Sequence, residues 1–401
     1  MLNRSLRVLA LIPLVAAACD RDPLANDDGF EPREPITIPV IGHGMITGRW
    51  SAEVAARGDW AYTTTWSRRV APGNAIMVWN VAADTPILAD SVIVDGAATL
   101  GDVQISDDGS LLVVATEYTG GSIVIFDRTT PDRLVQLSRF TSEATMRGVH
   151  TVKLGHVNGR HYAFLSIDPS PAQLVIVDIT DPENPTEVLV RVMGQPYVHD
   201  VFVRDGLLFT ALWDAGMDVL DIGGATAGGS VQNPVRLGNV VTVNGNVHNL
   251  WWYHDAAGGK RYVFLGEEGP GSVTGGSSSG DVHVVDVSDM AAPREVAFYH
   301  VPGAGAHNFH VDEEAGILYA AFYNGGVRAI DVTGDLSQCS ADARAADGRC
   351  NLELAGREAG FALTDGNPAV SIWGVARVGR YLYASDMLSG IYKLDVQPLR
   401  Q

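Results

Sequence analysis

The chain is almost without lysine: Lys153, Lys260 and Lys393 are the only three in 401 residues. Lys and Arg together number 28 against 47 Asp and Glu, a formal charge of −19. That balance argues against nucleic acid or an anionic membrane surface as a partner, because both are held by a cationic face. Cysteine is scarce as well, with Cys19, Cys339 and Cys350 alone. No glycine loop precedes a helix in the manner of a phosphate site, and there is hardly a helical period for such a loop to open. Long apolar runs are missing too. The one at the start, Val8 to Val15, is too short to span a bilayer as a helix.

That short run has a function of its own. MLNRSLRVLALIPLVAAAC sets two arginines before the apolar stretch and small residues before Cys19, the layout of an export signal. Small residues immediately before a cysteine resemble a bacterial lipobox, which implies lipidation of Cys19. Ala16 stands where Leu is commoner, so cleavage as an ordinary secreted protein stays open. Residues 20–34 are polar and rich in Asp and Pro, with no apolar period, and are expected to be a tether. In an exported chain, Cys339 and Cys350 inside GDLSQCSADARAADGRC read as a disulfide that pins a loop.

What the sequence has in abundance is one phrase. LVIVDITDPENP at Leu174 to Pro185 is a buried strand that stops at a turn of Asp and Pro. It returns as MVWNVAADTP, IVIFDRTTPD, MDVLDIGG, VHVVDVSDMAAP, VRAIDVTGD and YKLDV. The key residues of the seven copies are Asn80, Asp127, Asp178, Asp221, Asp286, Asp331 and Asp395, spaced 43 to 65 apart, as four-stranded propeller blades with loop insertions require. These copies resemble LVIVD repeats, a family of bacterial and archaeal surface proteins. The resemblance implies an all-β fold, a seven-bladed β-propeller, and carries no reaction with it.

The predicted propeller covers residues 35–397 as one domain. First strands are expected to begin near Ala52, Gly101, His150, His199, His248, His307 and Trp373. Fourth strands open with Pro131, Pro185, Pro234 and Pro293, where a missing N–H costs least. The seventh copy ends at Val396 without a fourth strand, and Pro35 to Gly44 has the pattern of one. The ring is therefore expected to close through an N-terminal outer strand. Insertions at Gly223 to Gln232, Pro270 to Gly280 and Gly334 to Arg349 read as surface loops, of which only the last has a pin; the second would overhang the channel mouth.

Four consecutive blades begin with the same residue: His150, His199, His248 and His307. The next position holds Thr151, Asp200, Asn249 and Asn308, and the connections on the same face carry Glu117, Asp168, Glu267, Glu268 and Asp386. One reading is a single transition-metal ion ligated by the four histidines, with Asp200, Asn249, Asn308, Glu267, Glu268 and Asp386 supporting it or binding a ligand. Carotenoid-cleaving oxygenases are similar in holding iron with four histidines on a seven-bladed propeller, an analogy of fold alone. In the other reading each histidine braces its own blade, as a Gly-His pair does in WD-repeat propellers. A metal-free polar pocket is a third. Two functions follow: a lipid-anchored binding scaffold for a protein or glycan at the cell envelope, or a metal-dependent enzyme at the channel mouth.

Overall fold

The computed structural model describes residues 30–400 apart from 69, 119, 194–196, 270–279 and 367–368. The expected export signal, the expected lipidation at Cys19, most of the expected tether and the Gly/Ser loop lie outside the described residues.

Seven antiparallel sheets form the ring. The inner strands, in chain order, are Trp50–Arg57, Thr99–Ile105, Thr151–Val157, Asp200–Arg204, Val247–Tyr253, Phe309–Asp312 and Ile372–Val378. Each is followed by two further strands of its own blade, and the third is the repeated phrase, as in Gln173–Asp178. Leu174, Val175, Ile176 and Val177 are all fully buried. A strand packed on both faces by neighbouring blades needs an unbroken apolar run, which explains why the phrase does not alternate. Outer strands such as Ile87–Ile93 are mostly exposed. The hydrophobic core is accordingly a set of seven inter-blade layers; Val113, Ile125, Leu165 and Val175, for instance, fill the one between blades two and three.

The signature acid has a local task. Oδ1 of Asp178 accepts the amide of Thr180 at 2.9 Å, and Asn80, Asp127, Asp221, Asp286, Asp331 and Asp395 each do the same for the residue two positions on. A short side chain that caps its own turn is the reason the strand stops hard.

The N-terminal segment closes the ring, and it does so across two blades. Val40–Met45 pairs antiparallel with Gly390–Asp395 as the outer strand of blade seven. Ile36–Thr37 pairs instead with Glu358–Ala362 at the edge of blade six. The expected single strand is broken at Pro39, which has no N–H for a ladder; between the two pieces Ile38 is buried.

A disulfide joins Cys339 and Cys350, which suggests an extracytoplasmic location. Its loop is more than the pinned surface loop expected. Leu336, Cys339, Ala343 and Cys350 are buried in the layer between blades five and six, and Cys350–Asn351 adds a short parallel strand to the edge of blade five. The first insertion has a pin too: the Asp221 carboxylate accepts the amides of Gly223, Gly224, Ala225 and Gly229. Among the described residues no helix is long and apolar enough to cross a membrane.

Candidate functional site

The inner strands bulge where they enter the channel. In blade five Val247 faces Glu267 and Asn249 faces Gly266, which leaves His248 as the extra residue. In blade six the amide of His307 donates to the Ala321 carbonyl, and Ala321 donates back to Asn308. The amides of His150 and His199 likewise reach Ser166 and Ala211, residues already paired with Thr151 and Asp200. A bulge suspends the alternation of faces for one residue. Each histidine and its successor therefore both turn to the axis, in two adjacent layers.

The upper layer is an unbroken arc of imidazoles. Ring centroids stand 4.2 Å apart for His150 and His199, 4.2 Å for His199 and His248, and 4.1 Å for His248 and His307. Trp213 stacks on His199 at 5.0 Å, and Trp373 ends the arc against His307 at 4.4 Å. Blades one and two present only Ala52 and Gly101 at this level. Gly101 is required there, since a Cβ would fall 2.5 Å from Glu117 Oε1 and 2.3 Å from the His150 carbonyl oxygen.

Three carboxylates face the arc from the second-to-third-strand connections. Glu117 of blade two forms an ion pair with Nδ1 of His150 at 2.8 Å. Asp168 of blade three lies 3.9 Å from that nitrogen and 3.8 Å from Nε2 of His199. Glu268 of blade five lies 3.7 Å from Nε2 of His248 and accepts the Tyr323 hydroxyl at 2.6 Å. Tyr323 reaches it from a left-handed backbone (φ 44°), as Trp213 reaches His199 (φ 55°). Non-glycine residues rarely adopt that region, and they do so where the surroundings hold them.

Burial sets the protonation of the arc. It pushes His199 and His248 well below the ordinary histidine range, with the neighbouring imidazoles adding to the effect, and takes His307 to about 3. His150 goes the other way: burial opposes its charge, but Asp168, Glu117 and Glu268 raise it to about 10. Burial also lifts Asp168 to about 6 and raises Glu268. Burial thus favours the neutral form of His199, His248 and His307, and the carboxylates favour the charged form of His150.

The lower layer is polar. Glu53, Asp102, Thr151, Asp200, Asn249 and Asn308 ring a cavity of about 370 Å³ that continues past Lys153, Trp251, His310 and Arg377. Asn308 donates to Glu53 across 255 residues of sequence, and Asp102 accepts the Val152 amide from the next blade at 3.0 Å. Burial and then the Asp102 charge raise Asp200 to about 7.

Sequence-predicted residues are not all brought together. Glu267 points away from the axis: it accepts the Thr242 hydroxyl at 2.6 Å and pairs with Nε2 of His283 at 2.9 Å. Asp386 is spent on its own turn, accepting the amides of Ser371 and Leu388. His307 stands at the end of the arc, with Nδ1 against the Trp373 carbonyl oxygen of the next blade. His150 and His307 take partners from adjacent blades, Glu117 and the Trp373 carbonyl, whereas Glu268 faces His248 within blade five. Tyr323 was missed as a neighbour of the arc, which Trp213 and Trp373 also line. The signal was an aromatic residue opening each of the turns Trp213 to Gly216 and Tyr323 to Gly326.

Fold and site together define a seven-bladed β-propeller with a histidine-lined channel mouth. The LVIVD repeat family matches residues 167–191, which span the signature strand of blade three and most of its outer strand. The chain is therefore a repeat protein that carries an LVIVD repeat. Among curated proteins none matches it.

Proposed function

We propose that this propeller is an exported, lipid-anchored binding scaffold for a protein or glycan at the cell envelope, and that it binds at the histidine-lined mouth. The reading is carried by one observation: side chains of blades two to seven converge, buried and polar or aromatic, on one end of the axis. Buried polar atoms left without a partner, such as Nδ1 of His199 and of His248, cost stability unless something else satisfies them. Half-buried Trp213 adds a flat apolar surface on which a sugar ring or an aromatic side chain stacks.

The test is binding to a glycan array and crosslinking in the intact envelope, with wild type, Trp213→Ala and His199→Ala compared with the opposite-face variant His156→Ala. The reading expects losses in the first two alone. A partner lost in His156→Ala and kept in both mouth variants overturns it.

A second reading, a metal-dependent enzyme at the same mouth, is favoured by the two sets of paired histidines and one carboxylate described next. Turnover with a metal requirement would separate it from the scaffold.

A further inference from the structure

Two donor sets overlap at the centre of the arc. His150, Asp168 and His199 form one, and His199, His248 and Glu268 the other; within each, the ligand atoms lie within 4.8 Å of one another. The separations are what matter. Nε2 of His199 stands 3.8 Å from Oδ2 of Asp168, and Nε2 of His248 stands 3.7 Å from Oε2 of Glu268. Both are too long for a hydrogen bond. Two donors that share one ion at about 2.1 Å each must stand no more than about 4.2 Å apart. The carboxylates thus stop short of the imidazoles by the width that an ion fills.

A second observation agrees. Nδ1 of His248 and Oδ1 of Asp168 are buried without a hydrogen-bond partner, although buried polar atoms ordinarily have one. His248 itself is 4% exposed. Among the described residues neither of its ring nitrogens reaches an acceptor at hydrogen-bond distance.

We propose that His199, His248 and Glu268 bind one divalent first-row transition-metal ion, with Asp168 as a further oxygen donor beside His199. The inference rests on the mouth being the functional site. Two imidazoles and a carboxylate suit zinc, iron, cobalt, nickel or copper, whereas calcium and magnesium take oxygen donors. Tyr323 holds Glu268 through its hydroxyl and Trp213 holds the His199 ring, the outer support that ligand side chains need. His150 stays outside the set through its ion pair with Glu117, and His307 through the Trp373 carbonyl.

The full-length protein, stripped with a chelator and titrated with Co(II), tests this by visible absorption and metal analysis. One cobalt per chain, displaced by zinc, is expected. His248→Ala and Glu268→Gln lose at least tenfold in affinity, while Asp386→Asn keeps it. Glu268→Gln preserves shape, so its thermal melt shows whether a loss of metal is a loss of fold. Failure of the wild type to bind cobalt or zinc overturns the proposal, as does binding that only His156→Ala, at the surface pair of His156 and His161, removes. Mouth variants that lose the partner in a protein without metal would leave the binding reading standing and remove the ion.

Discussion

Lys393, on the last strand of the chain, donates through Nζ to the carbonyl oxygen of Val81 at 2.8 Å, 312 residues earlier. It also donates to Ala83 at 2.9 Å and lies over the Tyr381 ring at 3.9 Å. The side chain is almost wholly buried, so blades seven and one are joined by a polar clasp as well as by apolar packing. Lys393→Met keeps the stem and removes the donor. It is expected to cost about 2 kcal/mol, the worth of a hydrogen bond to a charged group, with two carbonyls left unsatisfied. Urea denaturation checks it; an unchanged midpoint would show that the clasp is idle.

The N-terminal strand is the other half of the closure. A protein that begins at residue 46 lacks Val40–Met45, Ile36–Thr37 and buried Ile38. It is expected to melt far below one that begins at residue 30. Ile38→Ala alone should cost about 2 to 4 kcal/mol, as a buried side chain is replaced by a cavity. Equal melting temperatures for the two truncations would place the closure elsewhere.

His283 predicts a pH dependence. It is fully buried between Glu267 at 2.9 Å and Glu295 at 2.6 Å, and Arg349 adds a second cation to Glu295. Burial opposes its charge, but the two carboxylates raise it to about 9. A folded pKa above the ordinary 6.5 means that the contribution is whole below pH 6.5 and is lost as pH rises through 9. His283→Gln is expected to cost about 3 kcal/mol at pH 6, since it leaves buried charge unpaired. The gap to wild type should close by pH 9.5. A gap independent of pH would mean that the histidine is neutral in the fold.

The disulfide closes a loop with a sequence separation of 11. Replacing both cysteines by serine is expected to cost no more than about 3 kcal/mol in the chain-entropy model, with a further loss because both sulfurs are buried in the layer between blades five and six. Comparing the melt of the double variant with that of reduced wild type separates the two contributions.

The fold was legible because it is written seven times. Asp178 and its equivalents end each signature strand for a reason that holds in every blade, and a reason repeated at every turn leaves a period. The arc of His150, His199, His248 and His307 was legible on the same ground. Features that occur once left no period to read. Pro39 splits the closing strand between two blades, and Leu336 draws a polar insertion into the core. Glu267 and Glu268 are neighbours in sequence, yet one meets His283 and the other the mouth, because adjacent residues of an extended chain face opposite ways. A direction of that kind is set by register, which the composition of a connection does not contain.

The seam at Ile36–Met45 also decides how the molecule meets force. The chain enters the ring through the same strand that closes it, so tension on residues before Phe30 runs straight into the seam. It falls first on the two-residue pairing of Ile36–Thr37 with blade six and then on the ladder with Gly390–Asp395. Blades one to five lie outside this path and carry none of it. Under a pull from its N-terminus, the propeller opens at one joint.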